Sequence, residues 1–164
     1  MAAISVLLPV AATSDTDDLR RAHQSLLDQT TSPSEILLVT NQSLPAEIEA
    51  TIQELASNSP VTRHIHFPDA QGLGGVLQAG LKECSESFVA RMDGDDICEP
   101  ERFAEQLEVL TKSDVDIVGS HLAEFHRNPE NPERTRKVPL THKDIAEWMS
   151  WRCPMNHPTT MFDR

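Results

Sequence analysis

Short apolar runs that alternate with segments of helical period constrain this chain more than any other feature. Ile4-Ser5-Val6-Leu7-Leu8-Pro9 and Ile36-Leu37-Leu38-Val39 are nearly unbroken apolar runs, the pattern of strands covered on both faces. Between them, Thr16 to Leu27 puts Leu19, Ala22, His23, Leu26 and Leu27 on one stripe and predicts a helix. Pro45 suits the first turn of a second helix, whose apolar positions are Ile48, Ile52 and Leu55. Val61 to Phe67 alternates strictly and predicts a third, more exposed strand. A helix over Gly72 to Cys84, a strand over Phe88 to Met92, a helix marked by Phe103, Leu107 and Leu110, and a strand over Val115 to Gly119 complete the pattern. Four strand–helix alternations and a further strand predict an α/β domain with a mainly parallel sheet, wound right-handedly, with helices on both faces.

Beyond Gly119 the periodicity weakens. Asn128 to Pro139 is polar and proline-rich and is expected to be a loop. Thr141 to Trp151 is expected to be a last helix with Ile145, Trp148 and Met149 on its apolar side, with Trp148 and Trp151 read as buried anchors in preference to an acceptor platform. A chain of 164 residues is expected to form one domain over 1–164. The formal net charge of −12 argues against nucleic acid or an anionic membrane as a direct partner. No apolar run approaches the ~20 residues of a membrane span. Met1 to Val10 lacks a basic leading segment and resembles a first buried strand more than a signal peptide. The chain is therefore expected in the cytoplasm, free or peripheral at the inner membrane face. Cys84, Cys98 and Cys153 are odd in number and widely spaced, which predicts reduced thiols.

In open parallel sheets, ligands bind at the carboxyl ends of the strands. At one such end the chain reads Phe88-Val89-Ala90-Arg91-Met92-Asp93-Gly94-Asp95-Asp96, an apolar run that enters three crowded carboxylates. Charges that close repel unless a cation or hydrogen-bond donors offset them, which points to a hard divalent metal. Gly94 would let the chain bend sharply and approach a ligand. The alternative is a strand-to-helix turn whose aspartates cap the helix that opens near Pro100. Pro9-Val10-Ala11 and Thr40-Asn41 fall at the ends of two other strands, so three loops converge where a ligand is expected.

These residues resemble the nucleotide-sugar-binding half of an inverting family 2 glycosyltransferase with the Rossmann-like GT-A fold. Val6-Leu7-Leu8-Pro9-Val10 is similar to the opening strand of that family, and Glu35-Ile36-Leu37-Leu38-Val39 to its second strand. Ser25-Leu26-Leu27-Asp28-Gln29-Thr30 resembles its S-x-L-x-Q-T segment, and Gln71-Gly72-Leu73-Gly74 its N-x-G-L-x turn. Ala90-Arg91-Met92-Asp93-Gly94-Asp95-Asp96-Ile97 is close to A-R-x-D-A-D-D-I, with Arg102-Phe103 and Gln106 in the helix that follows. Asp116-Ile117-Val118-Gly119-Ser120 and Asn156-His157-Pro158-Thr159 continue the match in the family's order.

The resemblance implies metal-dependent transfer of a sugar, with inversion, from a nucleotide-diphosphate donor to a saccharide or lipid-linked acceptor hydroxyl. It implies Mn²⁺ or Mg²⁺ at Asp93 and Asp95, with Asp96 assisting, and donor contacts from Pro9, Val10, Asn41, Gly72, Arg91, Asp93 and Gly94. His157, in a matched segment, is read either as a metal or phosphate contact or as a structural histidine. Arg91 is read either as a diphosphate contact or as a neutraliser of the acidic cluster. Two departures stand out. Where the family carries an acidic pair that meets the base, this chain has Thr40-Asn41-Gln42-Ser43, and Asn41 still offers both a donor and an acceptor. The family's catalytic base lies beyond the His-Pro-Thr segment, so it is expected beyond Arg164, in an acceptor-binding half that this sequence does not include.

Two other functions fit parts of the pattern. A non-catalytic nucleotide-sugar-binding or protein-interaction module would need no base. A nucleotidyltransferase would need a basic, glycine-rich segment after the first strand, where this chain has Ala11-Ala12-Thr13-Ser14-Asp15.

Overall fold

A computed structural model describes residues 3–126 and 128–164. Its centre is β1 (Ile4–Pro9), whose side chains are buried on both faces. β2 (Glu35–Thr40) and β4 (Phe88–Arg91) flank β1 in parallel, and β3 (Thr62–His66) adds outside β2 as an edge. Successive strand residues point to opposite faces, so β1 feeds two cores. Val6 and Leu8 join Ile36, Leu38 and Ala90 under α1 (Thr16–Leu27), α2 (Ala46–Asn58) and α4 (Arg102–Lys112), with Leu19, Ile52 and Phe103 filling that side. Leu7 joins Leu37, Val39 and Val89 under α3 (Gly72–Glu83), which contributes Val76. This is the doubly wound α/β arrangement the alternation predicts.

Two packing details hold the helices. Asp15 caps α1 by accepting from the Asp17 and Asp18 amides at 2.8 and 3.1 Å. Gly80 lets α3 approach the sheet: a Cβ there would lie 2.6 Å from Leu7 Cδ1 and 3.0 Å from Val39 Cγ1.

The C-terminal third departs from the sequence expectations. The predicted strand over 115–119 shrinks to β5 (Ile117–Val118), and β8 (Met161–Asp163), not anticipated, runs antiparallel between β4 and β5. The full order is β3-β2-β1-β4-β8-β5. Within the segment expected to be a loop, β7 (Arg134–Arg136) pairs with β6 (Leu122–Glu124), and Arg134 and Arg136 both reach Glu124. Three-residue strands carry too little periodicity to be read, so pairing partners decide them. The last helix, α5 (His142–Trp148), is capped by Thr141 as predicted but has no buried residue. Trp151 is 64% exposed and Met149 68% exposed, so the expectation of buried anchors is overturned. Arg152 instead stacks on Trp148 and Trp151, with its guanidinium carbon 4.7 and 5.7 Å from the ring centres. Among the described residues, no helix is long and apolar enough to cross a membrane.

Candidate active site

The carboxyl ends of β1, β2 and β4 open on a cavity of about 660 Å³. Pro9 and Val10 leave β1 along its wall, Asn41 leaves β2, and Asp93, Gly94 and Asp95 leave β4. Gly72 opens α3 on the opposite wall with φ +62°, a conformation that L residues rarely adopt. Asn41 spends one amide proton on the Ala70 carbonyl at 2.9 Å, which joins the β2 loop to the loop before α3. Its Oδ1 and second amide proton stay available. Thr13, Ser14, Asp15, Asp18, Gln42, Leu73 and Val76 also border the cavity and were not singled out from the sequence. The position of Pro9-Val10-Ala11 at the carboxyl end of the first strand was the one signal pointing to that loop.

The acidic turn begins where the sheet ends. Ala90, Arg91 and Met92 are buried, and the chain surfaces over Asp93–Asp96, closed by an Asp96 amide bond to the Asp93 carbonyl at 3.4 Å. Carboxylate oxygens of Asp93, Asp95 and Asp96 lie within 4.8 Å of one another. Burial, together with the Asp93 and Asp95 charges, pushes the Asp96 carboxyl up to about 6. Negative charge here is thus only partly neutralised by protein. Three oxygen donors in one turn fit a hard divalent ion, which is usually held by one or two carboxylates plus substrate phosphates and water. The helix-capping alternative does not hold. Glu101 occupies the N-cap position of α4, without a side-chain cap bond, and the three aspartates lie upstream of it.

Arg91 and His157 stand behind this turn. Arg91 pairs with Asp93 Oδ1 through Nη2, its side chain is only 5% exposed, and it does not border the cavity. Among the described residues its buried Nε and Nη1 have no hydrogen-bond partner. His157 opens a 3₁₀ turn over His157–Thr159; partial burial and then the Arg91 charge lower its pKa, while Asp93 raises it. The chain turns at Gly94 without a left-handed φ, since among the described residues only Gly72 has one, and a Cβ on Gly94 would meet Leu19 Cδ1 at 3.4 Å.

Several matched motif residues act as a frame for the turn. Gln29 donates to the Glu99 carbonyl at 2.7 Å and accepts from the Phe103 amide at 3.1 Å, while Ser25 Oγ accepts from the Cys98 amide at 2.9 Å. Gln106 donates to the Thr159 carbonyl at 2.7 Å, and Asn156 to the Ser120 carbonyl at 2.9 Å. Together these bonds tie the segment after the turn to α1, α4 and the Asn156–Thr159 segment; the Glu99 carbonyl also accepts from the Arg102 amide, and the Ser120 carbonyl from the Thr159 hydroxyl.

A mainly parallel sheet with helices on both faces, a cavity at its carboxyl edge and clustered carboxylates on one loop define an α/β domain of the GT-A type. The chain belongs to glycosyl transferase family 2, whose family model matches residues 5–163. It is 32% identical to a glycosyltransferase of Haemophilus influenzae over 98% of this chain and 60% of that one. It is 32% identical to the amylovoran biosynthesis glycosyltransferase AmsE of Erwinia amylovora, over 96% of this chain and 59% of that one. With the UDP-Gal:alpha-D-GlcNAc-diphosphoundecaprenol beta-1,3-galactosyltransferase of Escherichia coli it shares 30% identity over 98% of this chain and 58% of that one. The chain thus spans about 60% of the length of these relatives. Among solved structures, the fold is similar to the Pyrobaculum calidifontis mannosyltransferase PcManGT in complex with GDP-Man and Mn²⁺, with TM-score 0.70 at 15% identity, covering 98% of this chain and 44% of that one. It is similar also to Staphylococcus aureus TarS 1-349 in complex with UDP-GlcNAc, with TM-score 0.70 at 18% identity, covering 98% of this chain and 45% of that one.

Proposed function

We propose that residues 1–164 form a single donor-binding domain of a metal-dependent, inverting glycosyltransferase that takes its sugar from a nucleoside-diphosphate donor. One observation carries this reading: Asp93, Asp95 and Asp96 converge on one loop, and the first two border the cavity made by the ends of β1 and β2. In this assignment Pro9, Val10, Asn41, Gly72 and Gly94 shape the donor pocket, and Asn41 meets the base through its free amide and carbonyl groups. Asp93 and Asp95, with Asp96 in support, hold Mn²⁺ or Mg²⁺. That ion supplies charge stabilisation to the departing diphosphate.

The protein's own residues supply positioning. Arg91, paired with Asp93, holds one carboxylate toward the cavity, the Gln29 and Ser25 bonds hold Cys98 and Glu99 just after the turn that carries all three, and Gln106 ties α4 to Thr159. The acceptor is a saccharide or a lipid-linked saccharide. The base that takes its hydroxyl proton belongs to the part of the longer relatives that this chain does not span. The domain works in the cytoplasm, free or at the inner membrane face.

Calorimetry with UDP, GDP, CDP and dTDP, each with and without Mn²⁺, tests the reading. Manganese-dependent binding of one nucleotide supports it and identifies the base. A folded sample that binds none of them, with or without the ion, refutes it.

A further inference from the structure

The net charge of −12, which argues against an anionic membrane for the chain as a whole, is unevenly spread. Residues 134–152 hold five of the 14 lysines and arginines but only two of the 26 acids, a local charge of +3 against −15 for the rest. Arg134 and Arg136 are engaged by Glu124. Lys137, Lys143 and Arg152 are exposed and, among the described residues, have no ion-pair partner. The same stretch carries the three most exposed large apolar side chains among the described residues: Leu140 at 72%, Met149 at 68% and Trp151 at 64%. We propose that this stretch is a docking surface for an anionic phospholipid bilayer, with Leu140, Met149 and Trp151 entering the headgroup region.

The fold presents the stretch as one unit. Asn156 Nδ2 donates to the Ser120 carbonyl at 2.9 Å and to the Arg136 carbonyl at 3.3 Å, so the stretch leaves and rejoins the body at neighbouring points. Between them, Ile145 is half-buried in a groove with Val118 and Met155, which seats α5 on the body. Met149 follows Ile145 by four residues and stands in the open past the end of the helix. Trp148 and Trp151 lie with ring centres 5.5 Å apart, and the Arg152 guanidinium rests over both. Indole suits a membrane–water boundary because its body is apolar and its N–H is polar. A guanidinium held on those rings keeps positive charge at the level of the lipid phosphates.

Charge selects the partner. The cytoplasmic leaflet is anionic, and each cation near it strengthens binding about fivefold. The acidic remainder of the chain is repelled by the same surface, so the protein is oriented as well as held. A neutral bilayer offers neither effect. None of residues 134–152 borders the first cavity, so docking and nucleotide binding are separate events.

Tryptophan emission tests the proposal directly, because Trp148 and Trp151 are the chain's only tryptophans and it has no tyrosine. The 164-residue chain is titrated with vesicles of equal parts phosphatidylglycerol and phosphatidylcholine, and with vesicles of phosphatidylcholine alone. A blue shift, and quenching by lipids brominated on their acyl chains, are expected on the anionic vesicles. Binding is expected to be at least about tenfold weaker to the neutral vesicles, and also to the anionic ones in about 1 M salt. Lys143→Gln and Arg152→Gln are each expected to weaken binding about fivefold. Met149→Ser is expected to weaken it at least about threefold. All three positions are exposed, so the variants are expected to keep the circular dichroism of the parent. No shift on anionic vesicles, equal binding to both kinds, or unchanged binding in the three variants would overturn the proposal. So would emission that is blue-shifted without lipid and red-shifts on dilution, which would give the surface to a second copy of the chain. Nucleotide calorimetry reads a different site, so failure here leaves the donor reading standing.

Discussion

Arg102 Nη2 donates to two carbonyls that lie far apart in the sequence, Arg91 at 2.9 Å and Thr160 at 3.3 Å. Arg91 closes β4 just before the acidic turn, and Thr160 immediately precedes β8. The Arg91 amide in turn donates to the Thr160 carbonyl at 2.9 Å. One guanidinium thus ties the strand that carries the aspartates to the strand that enters antiparallel beside it. Nε of the same group reaches Gln106 Oε1 at 3.1 Å, so the clamp also includes α4.

Arg102→Lys keeps the charge but loses the fork. The remaining ammonium cannot reach both carbonyls and Gln106 together. A destabilisation of about 2–3 kcal/mol is expected, since hydrogen bonds from charged donors contribute about 1.5–3 kcal/mol each. Chemical denaturation with an unchanged m-value measures it. Weaker manganese-dependent nucleotide binding is expected to accompany the loss of stability.

Gly80→Ala sets helix propensity against packing. Propensity alone would gain about 1 kcal/mol. The new Cβ lands 2.6 Å from Leu7 Cδ1, and overpacking of this kind costs about 1–3 kcal/mol. The packing cost is expected to win, with a fall of about 2–4 °C in thermal midpoint for each net kcal/mol lost. Gly94→Ala, whose Cβ meets only ordinary contacts, is expected to leave the midpoint unchanged.

Asp95→Asn separates the site from the fold. Asp95 is exposed and frames no other element, so the thermal midpoint is expected to stay within about 1 °C of the parent. Manganese-dependent nucleotide affinity is expected to fall at least about tenfold by calorimetry, because partners one shell further from a metal already cost 10–100-fold. Unchanged affinity would remove the ion from Asp95.

Asp96→Asn is expected to stabilise the metal-free protein near neutrality. An ordinary aspartate titrates near 3.8, and here burial and the neighbouring carboxylates move it to about 6. The folded state therefore holds this proton more tightly than the unfolded state does. Its contribution to stability is fully present below about pH 4 and is lost as pH rises to about 6. With a discount for partial solvent access, the substitution is expected to gain about 1–2 kcal/mol at pH 7.5 and nothing at pH 4. Paired denaturation curves at the two pH values check it. A gain that is equal at both would mean that crowding of the three carboxylates is not its source.

Much of this architecture follows from the sequence by itself. The nearly unbroken apolar runs Ile4–Pro9 and Ile36-Leu37-Leu38-Val39 read as strands covered on both sides, because neither face offers a polar residue series to water. The helical stripe of Thr16–Leu27 follows in the same way, as does the placement of Asp93–Asp96 at the carboxyl end of a strand. These features are local and repeat along the chain, so composition and period suffice to read them.

Tertiary structure decided the rest. β8 is three residues long and becomes a strand only because β4 and β5 leave a gap of matching backbone donors and acceptors between them. Trp151 lies in the open beyond the end of α5, a helix that itself buries none of its residues. Arg91 and Arg102 look alike in sequence as basic neighbours of an acidic turn. Only the packed chain shows one paired with Asp93 and the other spanning β4 and β8. Such roles depend on contacts between residues up to 58 positions apart, as from Arg102 to Thr160, and periodicity carries no information at that range.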